Sequence, residues 1–548
     1  MKCLIARFNA WFLVVPLIVV LLGWNITQNK ADAVYYNGTV YTVDSTFSTC
    51  EAFAVKNGKV VWTGNSRDAI NFVCPVKVDL RGQFVYPGFI DAHCHFYGYG
   101  VDQKKIDLTG TSSFEAVLDT LTLHKTKLFS GWLFGRGWDQ NDWANKTYPN
   151  KSELDKLFPN VPVFLLRVDG HAALCNSLAL KQCNVNVETK IDGGEIEKIG
   201  GELTGILIDN AVDLVKLKIP LPDKSAETQG LLTAQKNCNA VGLTTVCDAG
   251  LSKEVILLID SLQQSNILKM RYYAMIEYDA KNAKYFFDNG KIKTERLNAC
   301  SFKMYADGAL GSRGACMRDA YHDRQGHHGF LLHSVAELQQ AANEIALHDF
   351  QMNTHCIGDS ANHLMLQIYA NALKGKKDAR WRIEHAQVLA SEDIGWFAKY
   401  GIIPSVQPTH ATSDMYWAQD RVGAERMKAA YAYKQLLDVC GMIAAGSDFP
   451  VESINPMFGF YAAVARKDQK GYPKNGFQKQ DAISRQDALR AMTIWAAYAA
   501  FEEKEKGSIE AGKFADFVIT SQDIMKHPEN DLFNIKVKQT FINGERVF

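Results

Sequence analysis

Apolar runs of strand length alternate with helix-period stretches through the middle of the chain, and a β-rich segment lies at either end. From residue 33 to about 80, short β-type runs are broken by turns. Val34-Tyr35-Tyr36 and Thr39–Val43 flank Asn37-Gly38, and Ala52–Lys56 and Lys59–Trp62 flank Asn57-Gly58. Each reads as a hairpin, because Asn-Gly reaches the positive φ of a tight two-residue turn with little strain. The far end has the same texture: Ala515–Thr520, then Val537–Ile542, Asn543-Gly544 and Arg546-Val547-Phe548. Chain termini commonly lie close together, so 31–82 and 501–548 are expected to form one small β-sandwich.

Between them, residues 83–500 carry nine candidate strands: 84–92, Val161–Val168, Leu243–Cys247, Met270–Ile276, Ser301–Tyr305, Met352–His355, Trp381–His385, Ile402–Val406 and Met442–Ala445. Helical segments such as Ser334–His348 and Gln486–Phe501 separate most of them. Strand–helix alternation argues a parallel sheet, and eight such units argue an α/β fold closed into a (β/α)8 barrel. The ninth strand, Val161–Val168, falls in a stretch of about 101–235 rich in Trp, Gly and turn residues. That stretch reads as an insertion after the first barrel strand.

The first 30 residues differ from the rest. Lys2 and Arg7 precede an uncharged apolar run, Trp11–Trp24, and Ala31-Asp32-Ala33 has the small-x-small pattern of a cleavage site. The expectation is a signal peptide and a secreted protein. The alternative is an uncleaved N-terminal membrane anchor, although the run is shorter than the ~20 residues of a span.

Composition narrows the function classes. Among 548 residues, Lys plus Arg and Asp plus Glu are 60 each, so the chain offers no electrostatic reason to bind nucleic acid. Its 47% apolar residues suffice for a large core. Twelve cysteines have no Cys-x-x-Cys pair. Some could pair in an export compartment, but Cys74, Cys247, Cys300 and Cys440 sit in apolar contexts and read as small buried hydrophobes.

The candidate chemistry gathers at strand ends. The run Phe84–Ile90 leads into Asp91-Ala92-His93-Cys94-His95. Period-two alternation puts His93 and His95 on one face, which is half of a metal site. Later strands carry Lys303 or end in His355, His385 and Asp448. In a barrel the C-terminal strand ends meet at one mouth. Singly, His355 reads as an interior histidine, His385 as an ion pair with Glu384, Asp448 as a turn residue and Lys303 as a snorkelling side chain. Jointly they read as a divalent-metal centre.

Asp307, Gly308, Ser312 and Arg313 belong on a mouth loop, where Arg313 binds either substrate or a structural carboxylate. Trp138 and His171 of the insertion cap the pocket or pack on each other. His410, after the seventh strand, is a candidate substrate contact, and Asp359 a candidate orienter of His355 or its neighbours. His322, His327 and His328 share one loop and read as solvated.

Together the motifs resemble the amidohydrolase superfamily, and within it the YtcJ-like branch that includes N-substituted formamide deformylases. They are Pro87-Gly88-Phe89-Ile90-Asp91-Ala92-His93-Cys94-His95, Asp307-Gly308-Ala309-Leu310-Gly311-Ser312-Arg313, Asn353-Thr354-His355-Cys356-Ile357-Gly358-Asp359, Arg382-Ile383-Glu384-His385 and Gly446-Ser447-Asp448-Phe449-Pro450. Gly137-Trp138-Asp139, Asp169-Gly170-His171 and Gly507–Asp516 extend the likeness over nearly everything after the leader.

The resemblance implies the barrel and the sandwich. It also implies one metal on His93, His95 and Asp448, a second on His355 and His385, and a carboxylated Lys303 bridging them. Zinc suits these ligands, with Fe, Mn or Co as alternatives and one or two ions per chain. Asp448 is then the candidate general base for hydrolysis of a small N-substituted amide. An isomerase or C–O hydrolase on the same metals, or a binding protein without turnover, are the competing readings. A homo-oligomer is left open.

Overall fold

The computed structural model describes residues 30–376 and 378–548. The expected leader or anchor at 1–30 lies outside the described residues except for Lys30. Among the described residues, no helix is long and apolar enough to cross a membrane.

Eight parallel strands form the barrel: β1 (Phe89–Cys94), β2 (Leu243–Leu251), β3 (Arg271–Glu277), β4 (Leu297–Tyr305), β5 (Gln351–Cys356), β6 (Arg382–His385), β7 (Ile403–Val406) and β8 (Ala444–Ala445). They follow one another in chain order around the sheet. Both faces of these strands are buried, and most of them are rich in apolar residues, whereas Gln351–Cys356 and Arg382–His385 bury mainly polar ones. Ile90, Ala92, Cys247, Ala249, Tyr273 and Met275 share a core cluster with Ala496, Ala497, Ala499 and Ala500, while Phe89, Tyr272, Phe302, Met352 and Ile383 belong to the cluster that the surrounding helices cover.

The ring closes at its functional end. Asp448 N–H donates to His93 O (2.8 Å), and His95 N–H donates to Phe449 O (2.8 Å). Two candidate metal-site segments are thus tied together by backbone bonds.

Both chain ends build the small domain. One sheet runs Lys59–Gly64, Ala52–Lys56, Ala33–Tyr36, Val76–Asp79. The other runs Glu545–Arg546, Val537–Ile542, Phe517–Thr520, Phe84–Pro87, Thr39–Tyr41, Thr49–Cys50. Tyr35 stacked on Phe53 (4.7 Å) and Phe517 stacked on Phe541 (4.3 Å) fill the space between them.

Two local expectations fail here. Asn37-Gly38 closes no hairpin: Ala33–Tyr36 pairs with Ala52–Lys56 and Val76–Asp79, whereas Thr39–Tyr41 pairs in the other sheet. The turn carries the chain between layers, and tertiary pairing overrides its local preference. The run 84–92 is also two strands. Phe84–Pro87 pairs antiparallel with Phe517–Thr520, and the barrel begins at Phe89. Asn57-Gly58 does close a hairpin, with φ of 51° and 72°.

Val163–Arg167 lies in a separate six-stranded sheet between β1 and β2, with Ile106–Asp107, Leu133–Trp138, Ala172–Cys175, Gly194–Ile199 and Glu202–Asp209. Apolar clusters pack on this sheet around Trp138 and Leu165 and around Phe164 and Leu166. All eleven described cysteines are free.

Candidate metal centre

The strand-end residues converge around Asp448. His93 is fully buried at the end of β1. Its Nδ1 meets Glu384 Oε2 at 2.5 Å. Glu384 is held in turn by Arg382, whose Nε lies 2.7 Å from Oε1 and whose Nη2 donates to Oε2 at 2.9 Å. Arg382 also donates to Ala92 O and Ser405 Oγ. These partners fix the ring and leave His93 Nε2 facing Asp448 Oδ1 at 3.5 Å. His95 repeats the pattern: Nδ1 lies 3.1 Å from Ala249 O, and Nε2 is 3.3 Å from the same Asp448 oxygen. Asp448 Oδ1 is buried and has no hydrogen-bond partner among the described residues.

The donor set fits a cation. Two ligand atoms each about 2.0–2.2 Å from one tetrahedral ion stand ~3.4 Å apart, close to the 3.5 and 3.3 Å that separate Asp448 Oδ1 from the two imidazole nitrogens. Their outer nitrogens rest on a carboxylate and a carbonyl, as ligating imidazoles require. Asp448 and His385 both adopt left-handed backbone, at φ 63° and 74°. Strain of that kind in non-glycine residues collects at functional sites.

Three more groups stand nearby. Lys303 is buried in β4 with Nζ 3.4 Å from His93 Nε2. Burial pulls its pKa down to about 8 against the opposing pull of Glu384 and Asp448. His385 turns Nδ1 to Gln407 Oε1 at 2.7 Å. His355 packs 4.5 Å from His385, ring centre to ring centre, but its Nε2 lies 3.3 Å from Gly308 O and 3.7 Å from Asp307 Oδ1. His410 brings Nε2 to 3.6 Å from Asp448 Oδ2.

Burial and neighbouring charge shape the protonation. Burial, with Lys303 beside it, lowers His93 to about 4. Burial, with neighbouring cations, holds His355 and His385 below the usual imidazole range. Neutral imidazoles are the form that ligates. Burial alone would raise Glu384 and Asp448, but Arg382 and His93 hold the first carboxylate down, and the His95 and His93 rings hold the second.

Other expected residues land elsewhere. Trp138 does not cap the pocket. It is buried in the insertion core, and its indole N–H donates to Leu165 O at 2.9 Å. Arg313 takes the structural alternative, a two-point pair with Asp323 at 2.8 and 3.2 Å. Asp359 accepts Arg318 N–H at 2.9 Å and is not the group beside His355; Asp307 is. The reason is local: Asp359 starts the helix Asp359–Leu373 and faces the neighbouring loop, while Asp307 receives the N–H groups of Cys316, Ile357 and Gly358.

His171 does reach the site, 5.0 Å from His355 by ring centres. Its Nδ1 is held by Asp209 Oδ1 at 2.8 Å. His322 and His328 are exposed, and the half-buried His327 directs Nε2 to Arg313 O.

The residues missed from sequence are the orienters Glu384, Gln407 and Asp209. Glu384 left a signal: Arg382 and Glu384 are spaced by two in a buried strand, so they share a face and need partners.

The chain is similar to known proteins over most of its length. A family model described as the amidohydrolase family matches residues 77–548. The chain is 32% identical over 542 residues to Protein LONG AFTER FAR-RED 3 of Arabidopsis thaliana, covering 94% of this chain and 92% of that protein. It is 26% identical over 546 residues to the N-substituted formamide deformylase of Arthrobacter pascens, covering 95% and 98%. Among solved structures, an uncharacterized metal-dependent hydrolase from Pyrococcus horikoshii superposes with a TM-score of 0.74 at 25% identity, over 91% of this chain and 99% of that one.

Proposed function

This chain belongs to the amidohydrolase family, and from that premise we propose that it hydrolyses the C–N bond of a small N-substituted amide. The observation that carries the reading is the convergence of His93 Nε2, His95 Nε2 and buried, unpartnered Asp448 Oδ1, each ring fixed from behind. These residues would hold a divalent ion, and zinc suits their donor set. When bound, such an ion polarises a carbonyl and makes water acidic enough to be a nucleophile near neutral pH.

The protein's own residues supply the rest. Asp448, kept ionised by the imidazoles around it, takes the water proton and passes it to the leaving nitrogen. Glu384 and the Ala249 carbonyl keep the two imidazoles in the ligating tautomer. His95, its side chain 28% exposed, marks the open side of the site, where substrate enters. The full-length similarity to a formamide deformylase supports an amide rather than an ester.

Lys303 completes the set as a carboxylated ligand on the His93 side. A buried amine with a lowered pKa is reactive toward CO2, and the adduct is an anion that can ligate. An intact mass equal to that of the bare chain, under CO2-replete conditions, would refute it. Export remains part of this reading through the first 30 residues, and N-terminal sequencing of the mature protein tests it.

The activity test pairs metal analysis with a panel of N-formyl and N-acyl amides, esters, lactones and isomerisable substrates. Amide turnover that a chelator abolishes and Zn2+ restores is the expected result. Turnover confined to esters or lactones, or isomerisation alone, would overturn the amide reading.

A further inference from the structure

The motif Asp169-Gly170-His171 takes no part in the chemistry above, yet the fold brings it to the barrel mouth. Asp169 accepts the His171 N–H at 2.9 Å, and Gly170 turns the chain at φ 77°. His171 then stands just before the strand Ala172–Cys175, opposite Asp209 at the end of Glu202–Asp209. Two bonds join the pair. Asp209 N–H donates to His171 O at 2.7 Å, and Asp209 Oδ1 meets His171 Nδ1 at 2.8 Å. Nε2 is therefore the nitrogen left to face a ligand. The ring packs 5.0 Å from that of His355 and 6.4 Å from that of Tyr305, centre to centre. Tyr305 shares a strand face with Lys303, whose Nζ lies 4.5 Å from the Tyr305 ring centre. The insertion thus places one polar side chain, 15% exposed, among the residues of the mouth.

Asp209 is held there against its own preferences. Its side chain is fully buried, and Oδ2 has no hydrogen-bond partner among the described residues. Its backbone lies at φ 53°, ψ −127°, which glycine reaches freely and aspartate does not. The mouth loop makes room for it with Gly308 and Gly314, since a Cβ at either position would run into the carboxylate. A tie that only joined insertion to barrel needs none of this; an apolar pair would bury there without leaving an orphan oxygen. Backbone strain of this kind persists where a side chain must be aimed, and the side chain that Asp209 aims is His171.

We propose that His171 Nε2 hydrogen-bonds the scissile amide of the substrate and that Asp209 positions it, so that the insertion supplies a catalytic residue to the barrel's site. The inference rests on the amide-hydrolase reading above. A polar contact on the His355 side keeps the amide from turning while its carbonyl carbon is attacked beside Asp448.

The test uses the full chain and the N-formyl or N-acyl amide of the panel above that wild type turns over fastest. His171→Phe keeps a ring without nitrogens. Asp209→Gly removes the carboxylate at a backbone conformation that glycine accepts. Each should lower kcat/KM about 10²-fold, mainly through kcat, as for the loss of one transition-state contact. The double variant should fall no more than about threefold below either single one, because both changes remove the same contact. Metal content by elemental analysis should match wild type in all three. Free imidazole should restore turnover to His171→Ala, which keeps the question open to measurement if His171→Phe does not fold. Wild-type kcat/KM in folded His171→Phe or Asp209→Gly would overturn the proposal. So would multiplicative losses in the double variant, metal lost from His171→Phe, or no gain from imidazole. A wild-type chain that hydrolyses no amide would overturn the amide reading itself, whereas amide turnover unchanged by His171→Phe would overturn only this contact.

Discussion

Replacing Glu384 by Gln tests the support behind the metal centre. Glu384 is fully buried between the Arg382 guanidinium and the His93 imidazole. The substitution keeps shape and one carbonyl oxygen but removes the charge. Two separable costs follow. Arg382, itself fully buried, loses its counter-ion, and breaking one side of a buried pair costs about 3–5 kcal/mol. The surviving amide oxygen still accepts one of the Arg382 N–H groups, which puts the expected loss near the lower end, about 3 kcal/mol.

The second cost falls on the ion. Without the carboxylate, His93 is free to turn, and lost orientation of a ligating imidazole lowers metal affinity about 10–100-fold, or ~1.4–2.7 kcal/mol. Urea unfolding of the metal-free protein reads the first cost as a lower midpoint at unchanged slope. Chelator competition on the folded protein reads the second. Metal affinity within twofold of wild type would show that Glu384 does not orient His93. An unchanged urea midpoint would show that Arg382 has another counter-ion.

Three other outcomes are expected. Asp448→Asn should lower turnover about 10²–10⁴-fold with KM little changed, because the amide oxygen can still ligate but cannot take the proton; near-normal kcat would contradict the role. In the metal-free protein the His93 ring should stay neutral as pH falls from 8 to 5, since burial and Lys303 set its pKa at about 4; ring 15N shifts with a midpoint near 6.5 would refute this. Asp516→Ala should cost about 3–5 kcal/mol, because Arg271 at the start of β3 is fully buried on that carboxylate at 2.5 and 3.1 Å; an unchanged melting temperature would show the small domain does not depend on the pair.

Much of this architecture was legible without coordinates. A strand covered on both faces is rich in apolar residues, so most of the barrel strands stand out as short apolar runs between helical segments, and the buried polar residues of Arg382–His385 stand out against them. Parallel topology then sends every C-terminal strand end to one mouth, which is why His93, His95, His355, His385 and Asp448 could be grouped although they are far apart in the chain. The extra strand at 161–168 could be set aside because it sits among turn residues.

Periodicity says which face a side chain occupies, but not what it meets across the barrel. That Glu384 of β6 holds His93 of β1, that Gln407 fixes His385, and that His410 rather than His355 approaches Asp448 all depend on ring closure. The same limit explains the failures. Asp359 and Asp307 were equally available to His355 in sequence, and Asn37-Gly38 had a hairpin's composition. Side-chain alternation and apolar burial are local and can be read along one dimension. Which nitrogen faces which oxygen is set by register and closure between segments hundreds of residues apart, and only the folded chain brings them within bonding distance.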